Sequence, residues 1–299
     1  MASMISIASG KGGVGKSVVA ANLSVLLAQQ GKRVVLVDLD TGGADSHVLF
    51  GLLNPSLTLT DFLNHGVERL TDVAQPLPIH PNLRIIPGTG DTLATANMPY
   101  SHKKRLIRQC QEIEADVIVI DIGAGCSYHT LDFFLMADYH VAVATPDPTS
   151  VLDLYRFIKL AAIRRVLSMF LVRDVMAEGL ATRDYSSVKE VLEVAGKTDE
   201  SGRTLADSTL RAFQPALILN RATGRARVNV TQLKALLKEY VGGSLMLLGE
   251  IPEDPAMEHA VRAYVPIVQH APSAPAVAAL KKTTDTLMQW LAKPPAQAA

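Results

Sequence analysis

Gly10-Lys11-Gly12-Gly13-Val14-Gly15-Lys16-Ser17 is the stretch on which the fold turns. It has the form GxxxxGK[ST]. It comes after a short apolar run, Met4–Ser9 (MISIAS), and opens Lys16 to Gln30, where Val19, Leu23, Leu26 and Leu27 share one helical face. Glycines there let backbone N–H groups curl around phosphate oxygens. The N-terminus of the helix adds a favourable partial charge. Lys16 is spaced to reach the β- and γ-phosphates of a nucleotide, and Ser17 to offer its hydroxyl to Mg²⁺. A glycine-rich turn without a ligand is the bland alternative. The full eight-residue pattern at a strand–helix junction argues against it.

Outward from this loop, strand and helix signals alternate. Arg33–Asp38 (RVVLVD), Leu83–Pro87, Asp116–Asp121 (DVIVID), His140–Thr145 (HVAVAT), Pro215–Asn220 (PALILN) and Ser244–Ile251 (SLMLLGEI) read as buried strands. Lys104–Glu114 and Ser150–Phe170 read as helices, and Gly31 as the cap of the first one. Uniformly apolar strands separated by helices predict an α/β fold: a doubly wound, mainly parallel sheet with helices on both faces. Residues 1–270 read as one domain. A polar, helix-rich stretch at about 171–211, carrying Arg173, Asp174, Glu178, Arg183, Asp184, Lys189, Glu190 and Glu193, interrupts it as a solvated excursion, with a docking surface or lid as the alternative. Residues 271–299 read as a C-terminal helix and tail.

Carboxylates at the ends of such strands face the crevice where ligands bind. Asp38 and Asp40 lie on one side of their strand by its two-residue period. Asp121 ends an apolar strand in the manner of a Walker B aspartate, and Gly123-Ala124-Gly125 after it is small enough to approach a γ-phosphate. Aspartates capping a turn, or a plain core strand, are the alternatives.

The 299 residues are 48% hydrophobic and 19% charged, enough for a sizeable core. Twenty-nine basic residues balance 29 acidic ones, so no global charge drives the chain to DNA or to an anionic membrane. Cys110 and Cys126 stand apart without a CxxC pair, which fits a reducing cytoplasm. No secretory leader is expected at the N-terminus, and no apolar run reaches the length of a membrane span.

Lys11 is not required by a phosphate loop. KGGVGKS resembles the deviant Walker A motif of the MinD/ParA family of P-loop ATPases (SIMIBI-like), closest to the MinD and FlhG (FleN) branch. The resemblance covers roughly residues 4–150 and 215–270. It implies ATP and Mg²⁺ as cofactors, bound by Gly10, Lys11, Gly12, Gly13, Val14, Gly15, Lys16 and Ser17. It implies that Lys11 reaches across a dimer interface to the partner's nucleotide. It further implies Lys11, Lys16 and Asp40 as catalytic, with Asp40 orienting water, and Ser17, Asp38 and Asp121 as the metal-supporting set. Thr145-Pro146-Asp147-Pro148-Thr149-Ser150 resembles the family's TxPE segment, which supports the dimer interface and the nucleotide, with aspartate for the usual glutamate. Asn220 and Arg221 resemble the strand end that reads adenine. Pro252 and Glu253 belong to a GxIPED-like segment lining the base pocket.

By that resemblance the chain is an ATPase with slow turnover, ATP + H₂O → ADP + phosphate. It forms a homodimer on binding ATP and acts with a protein partner as a spatial or assembly regulator. The implied location is cytoplasmic, peripheral to the membrane if the C-terminal helix binds there. That helix, about Pro275 to Ala292, carries a stripe of Val277, Leu280, Thr284, Leu287, Met288 and Leu291, for which packing on the body is the preferred reading. Asp132–Asp138 fits an interface helix or plain core equally well. The activating N-terminal motif of some FlhG proteins is absent. Three alternatives stand lower: a ParA-like DNA-partitioning ATPase using Arg164, Arg165, Arg221, Arg225 and Arg227; an iron–sulfur carrier using Cys110 and Cys126; and a metabolic ATP-dependent enzyme.

Overall fold

Apolar runs that lack period-two alternation need both faces covered, and the structure supplies that cover. The computed structural model describes residues 2–40, 43–88, 98–171, 185, 187–196, 200–223, 230–241 and 244–293. The described strands are β1 (Ser3–Ala8), β2 (Val34–Leu39), β3 (Gln75–Pro76), β4 (Leu83–Ile86), β5 (Val117–Ile122), β6 (Tyr139–Ala144), β7 (Ala216–Ala222) and β8 (Met246–Pro252). They form one sheet in the order β3-β4-β2-β5-β1-β6-β7-β8, parallel throughout except for β3 against β4. Every residue of β2, β5 and β6 is buried, as expected of a parallel sheet clothed on both sides.

The described α-helices are α1 (Lys16–Gln29), α2 (Leu59–Leu63), α3 (Tyr100–Gln111), α4 (Tyr128–Leu135), α5 (Pro148–Leu171), α6 (Val188–Gly196), α7 (Glu200–Ala212), α8 (Val230–Val241), α9 (Pro255–Arg262), α10 (Ile267–His270) and α11 (Pro275–Leu291). On one face, Leu23 and Leu27 of α1 and Leu280 of α11 pack with Ile5, Leu36 and Val119. On the other, Leu106 of α3, Phe134 of α4 and Phe157 of α5 pack with Ile118 and Ile120.

The excursion is less solvated than its charges suggest. Val188 and Val191 of α6, with Ala206 and Leu210 of α7, are buried in the core that α5 shares. Lys189 and Glu193 point outward, so these are amphipathic helices docked on the body. Arg173, Asp174, Glu178, Arg183 and Asp184 lie outside the described residues.

The apolar stripe of α11 is spent on the body as well. Val277, Leu280, Thr284 and Leu287 are buried, with β8 and α1 as neighbours. Gly249 of β8 makes the approach close: a Cβ there would lie 2.0 Å from Thr283 Oγ1. Trp290 meets the Tyr139 ring edge-on at 4.9 Å. These residues therefore pack on the body. Among the described residues no helix is long and apolar enough to cross one. Phe133 and Phe134 of α4 are likewise core.

Candidate functional site

Parallel strands place their C-terminal ends on one edge, so the segments leaving β1, β2, β5, β6 and β7 converge there. The loop after β1 turns into α1 through Gly13 at φ 79° and Gly15 at φ 84°, left-handed values that glycine adopts without strain. Two of its glycines also sit against other elements. A Cβ at Gly10 would meet the Asp153 carbonyl oxygen of α5 at 2.3 Å, and one at Gly15 would meet Asn220 Nδ2 at 2.3 Å. Asn220, at the end of β7, donates from Nδ2 to the Val14 carbonyl at 2.8 Å, which ties the strand to the loop.

Lys16 is almost fully buried. Its Nζ lies 2.6 Å from Asp121 Oδ1, 3.7 Å from Asp40 Oδ2 and 3.2 Å from the Ser17 hydroxyl. Asp38 and Asp121 are direct neighbours across β2 and β5. Burial, then the facing Asp121 charge, pushes the Asp38 carboxyl up to about 7. The N–H of Asp40 donates to Asp38 Oδ1 at 3.0 Å. Gly123 lies against Asp40, since a Cβ there would meet Asp40 Oδ1 at 2.9 Å. Two carboxylates and a hydroxyl beside an open loop suit a hydrated magnesium ion, which takes few protein ligands and keeps several waters. No group of three or more His, Cys, Asp or Glu residues suited to a metal occurs among the described residues.

Lys11 faces outward instead. Its Nζ donates to Asp147 Oδ1 at 3.0 Å and to Thr149 Oγ1 at 2.8 Å, and a third of its side chain is exposed. Asp147 caps α5, accepting from the Ser150 N–H at 2.9 Å. The Thr145 and Thr149 hydroxyls, then that N–H, then Lys11, hold its carboxyl well below the usual carboxylate range. Two clefts adjoin the loop. One of about 520 Å³ is lined by Gly15, Val18, Asn220, Arg221, Pro252 and Glu253 among others. The other, about 490 Å³, runs past Lys11, Gly12, Thr145 and Asp147 and shares Arg221 and Glu253.

The structure thus brings Lys16, Ser17, Asp38, Asp40 and Asp121 together, sets Asn220, Arg221, Pro252 and Glu253 in the neighbouring cleft, and places Lys11 at the rim. One participant was not anticipated, Ser46, whose hydroxyl donates to Asp121 Oδ2 at 2.6 Å. Ser46 comes after Asp40 in a loop with no periodicity, and no spacing in the sequence marks it. The alternative sites come apart. Cys110 is buried, its thiol pushed up to about 12 by burial, while Cys126 is exposed, so they do not form one ligand pair. Arg164 is held by Asp132 at 2.7 Å and Arg165 is partly buried, which withdraws one cationic cluster from DNA; Arg225 and Arg227 lie outside the described residues.

Known proteins resemble the chain in sequence and in fold. The family model described as "CobQ/CobB/MinD/ParA nucleotide binding domain" matches residues 5–267. The antiactivator FleN of Pseudomonas aeruginosa is 37% identical over 160 residues, 52% of this chain and 55% of FleN. The flagellum site-determining protein YlxH of Helicobacter pylori is 34% identical over 187 residues, 60% of each. The chain therefore spans 55% and 60% of the length of these two relatives. Among solved structures, the septum site-determining protein MinD complexed with Mg-ADP from Pyrococcus horikoshii superposes with a TM-score of 0.67 at 23% identity, covering 97% of both chains. MinD in the MinC:MinD cell division complex of Aquifex aeolicus gives 0.64 at 22% identity, covering 96% of each. These two likenesses are of fold.

Proposed function

The chain belongs to the CobQ/CobB/MinD/ParA nucleotide-binding family, and from that premise we propose that it is an ATP-hydrolysing switch that dimerises around nucleotide and regulates where or when a cellular assembly is built. The observation that carries this reading is the division of labour between two lysines of one loop. Lys16 is buried among Asp121, Asp40 and Ser17, and Lys11 stands at the rim of an open cleft. By the family resemblance, Lys16 would serve the nucleotide of its own chain and Lys11, at the rim, that of a partner subunit.

In this reading the backbone N–H groups of the loop receive the phosphates, and Lys16 exchanges Asp121 for a phosphate oxygen. Ser17 would hold Mg²⁺, with Asp38 and Asp121 supporting it, and the ion would supply positive charge against the phosphates. Asp40 orients the attacking water. Little covalent chemistry is asked of the protein, so positioning and fixed charge do the catalysis. The cleft at Asn220, Arg221 and Pro252 takes the base. The likeness to YlxH, a flagellum site-determining protein, and to the septum site-determining MinD supports a spatial regulator acting through a protein partner.

Size-exclusion chromatography with light scattering tests this on wild type and Asp40→Ala, with ADP and with ATP plus Mg²⁺. A dimer of Asp40→Ala formed only with ATP is the expected result. A mass independent of nucleotide, with ATP still bound, would sink the switch and favour a metabolic ATP-using enzyme.

A further inference from the structure

Ser46 belongs to none of the motifs above, yet it is fully buried beside the two facing carboxylates. Its backbone N–H donates to Asp38 Oδ2 at 3.0 Å, and its hydroxyl donates to Asp121 Oδ2 at 2.6 Å. Each carboxylate oxygen of the pair has its own donor. Asp38 Oδ1 accepts from the Asp40 N–H, Asp38 Oδ2 from the Ser46 N–H, and Asp121 Oδ2 from the Ser46 hydroxyl. The remaining oxygen, Asp121 Oδ1, is the one that meets Lys16. The loop after β2 therefore fixes every carboxylate oxygen of the pair except the one turned toward the phosphate lysine.

The bland role for a buried serine is to satisfy a nearby backbone carbonyl. This one donates to a charged carboxylate instead, and hydrogen bonds to ionised groups are the stronger ones. The geometry points to Ser46 as a positioning residue of the nucleotide site: it clamps Asp121 to Asp38 so that Asp121 Oδ1 stays aimed at the cation side when Lys16 leaves it for a phosphate. The inference rests on the nucleotide-and-magnesium reading above. Ser46 touches neither nucleotide nor ion in this scheme and acts through Asp121 and Asp38. Its loss should separate magnesium dependence from nucleotide binding as such.

The test is titration with a fluorescent ADP analogue, in EDTA and in Mg²⁺, with Mn²⁺ paramagnetic resonance in the presence of ADP as a second readout of ion binding. Ser46→Ala keeps the backbone N–H and loses the clamp. Its affinity in EDTA should match wild type, while the gain on adding Mg²⁺ should fall on the order of tenfold, the usual cost of removing a group that orients a metal-supporting residue. Mn²⁺ affinity should fall in parallel. Ser46→Thr, which keeps the hydroxyl, should restore both. Ser46→Cys, near serine in size and a weak donor, should show the same loss should Ser46→Ala misfold. An unchanged magnesium gain in Ser46→Ala overturns the proposal, as does an equal loss in EDTA and in Mg²⁺, which would make Ser46 a packing residue. Wild type that binds the analogue in neither condition overturns the nucleotide reading itself, and this inference with it.

Discussion

Lys16 has two tasks in this geometry, and a substitution there exposes both. Beyond any part in binding phosphate, its ammonium is the cation buried with Asp38 and Asp121. Removing one partner of a buried ion pair leaves charge uncompensated and costs about 3–5 kcal/mol. Lys16→Ala should therefore melt well below wild type with no nucleotide present, as scanning calorimetry would record. An unaltered melting temperature would mean that the carboxylates do not need the lysine. His140 gives a cleaner pH dependence. It lies between the Phe134 and Phe213 rings, and burial, then the nearby Arg165 charge, pushes it down to about 3. Between about pH 6.5 and 3 the unfolded chain binds a proton that the folded chain refuses. Its contribution to stability is thus complete above pH 6.5 and is lost as pH falls toward 3. His140→Phe should flatten the acid limb of a melting-temperature profile over that window. An unchanged limb would place the acid sensitivity elsewhere.

At the scale of elements, α11 is structural cover for β8 and α1. Leu280→Ala should cost about 2–5 kcal/mol, as large-to-small changes in a packed core do, readable as a lower urea midpoint. A loss under about 0.5 kcal/mol, the size of an ordinary surface change, would mean the stripe is not packed in solution. The parallel strands were legible because burial on both faces writes an uninterrupted apolar run, as in Val34–Leu39 and Val117–Ile122. β3 was not, since two residues including Pro76 carry no pattern. The docking of α6 and α7 was hidden for another reason. Their buried residues are few among many charges, so composition reads as solvent while position reads as core. In the site, Lys16, Ser17, Asp38, Asp40 and Asp121 were legible because they sit in a fixed loop and at strand ends. Ser46 was not: which carboxylate a loop hydroxyl meets is decided by the tertiary fold, and a one-dimensional spacing does not contain it.

For the molecule as a whole, the sheet order sets β1 between β5 and β6, with β2 beyond β5 and β7 beyond β6. A single ligand along that edge touches chain from several strands at once. Ligand that binds only the folded state should stabilise it by about 2.7 kcal/mol at a hundredfold excess over its dissociation constant, and so raise the melting temperature. ATP with Mg²⁺ should do so for wild type, and a melting temperature indifferent to both would argue against nucleotide binding. Gly10 carries a different consequence. It has no room for even a methyl group against the Asp153 carbonyl, so the loop and the first turns of α5 are in backbone contact. α5 runs 24 residues, about 36 Å at 1.5 Å per residue, and α6 and α7 pack along it. A loop that shifts by an ångström cannot leave that helix where it was. The helix is a stiff lever with its short arm at the glycine loop, and α6 and α7, packed along its length, are where such a shift would be felt.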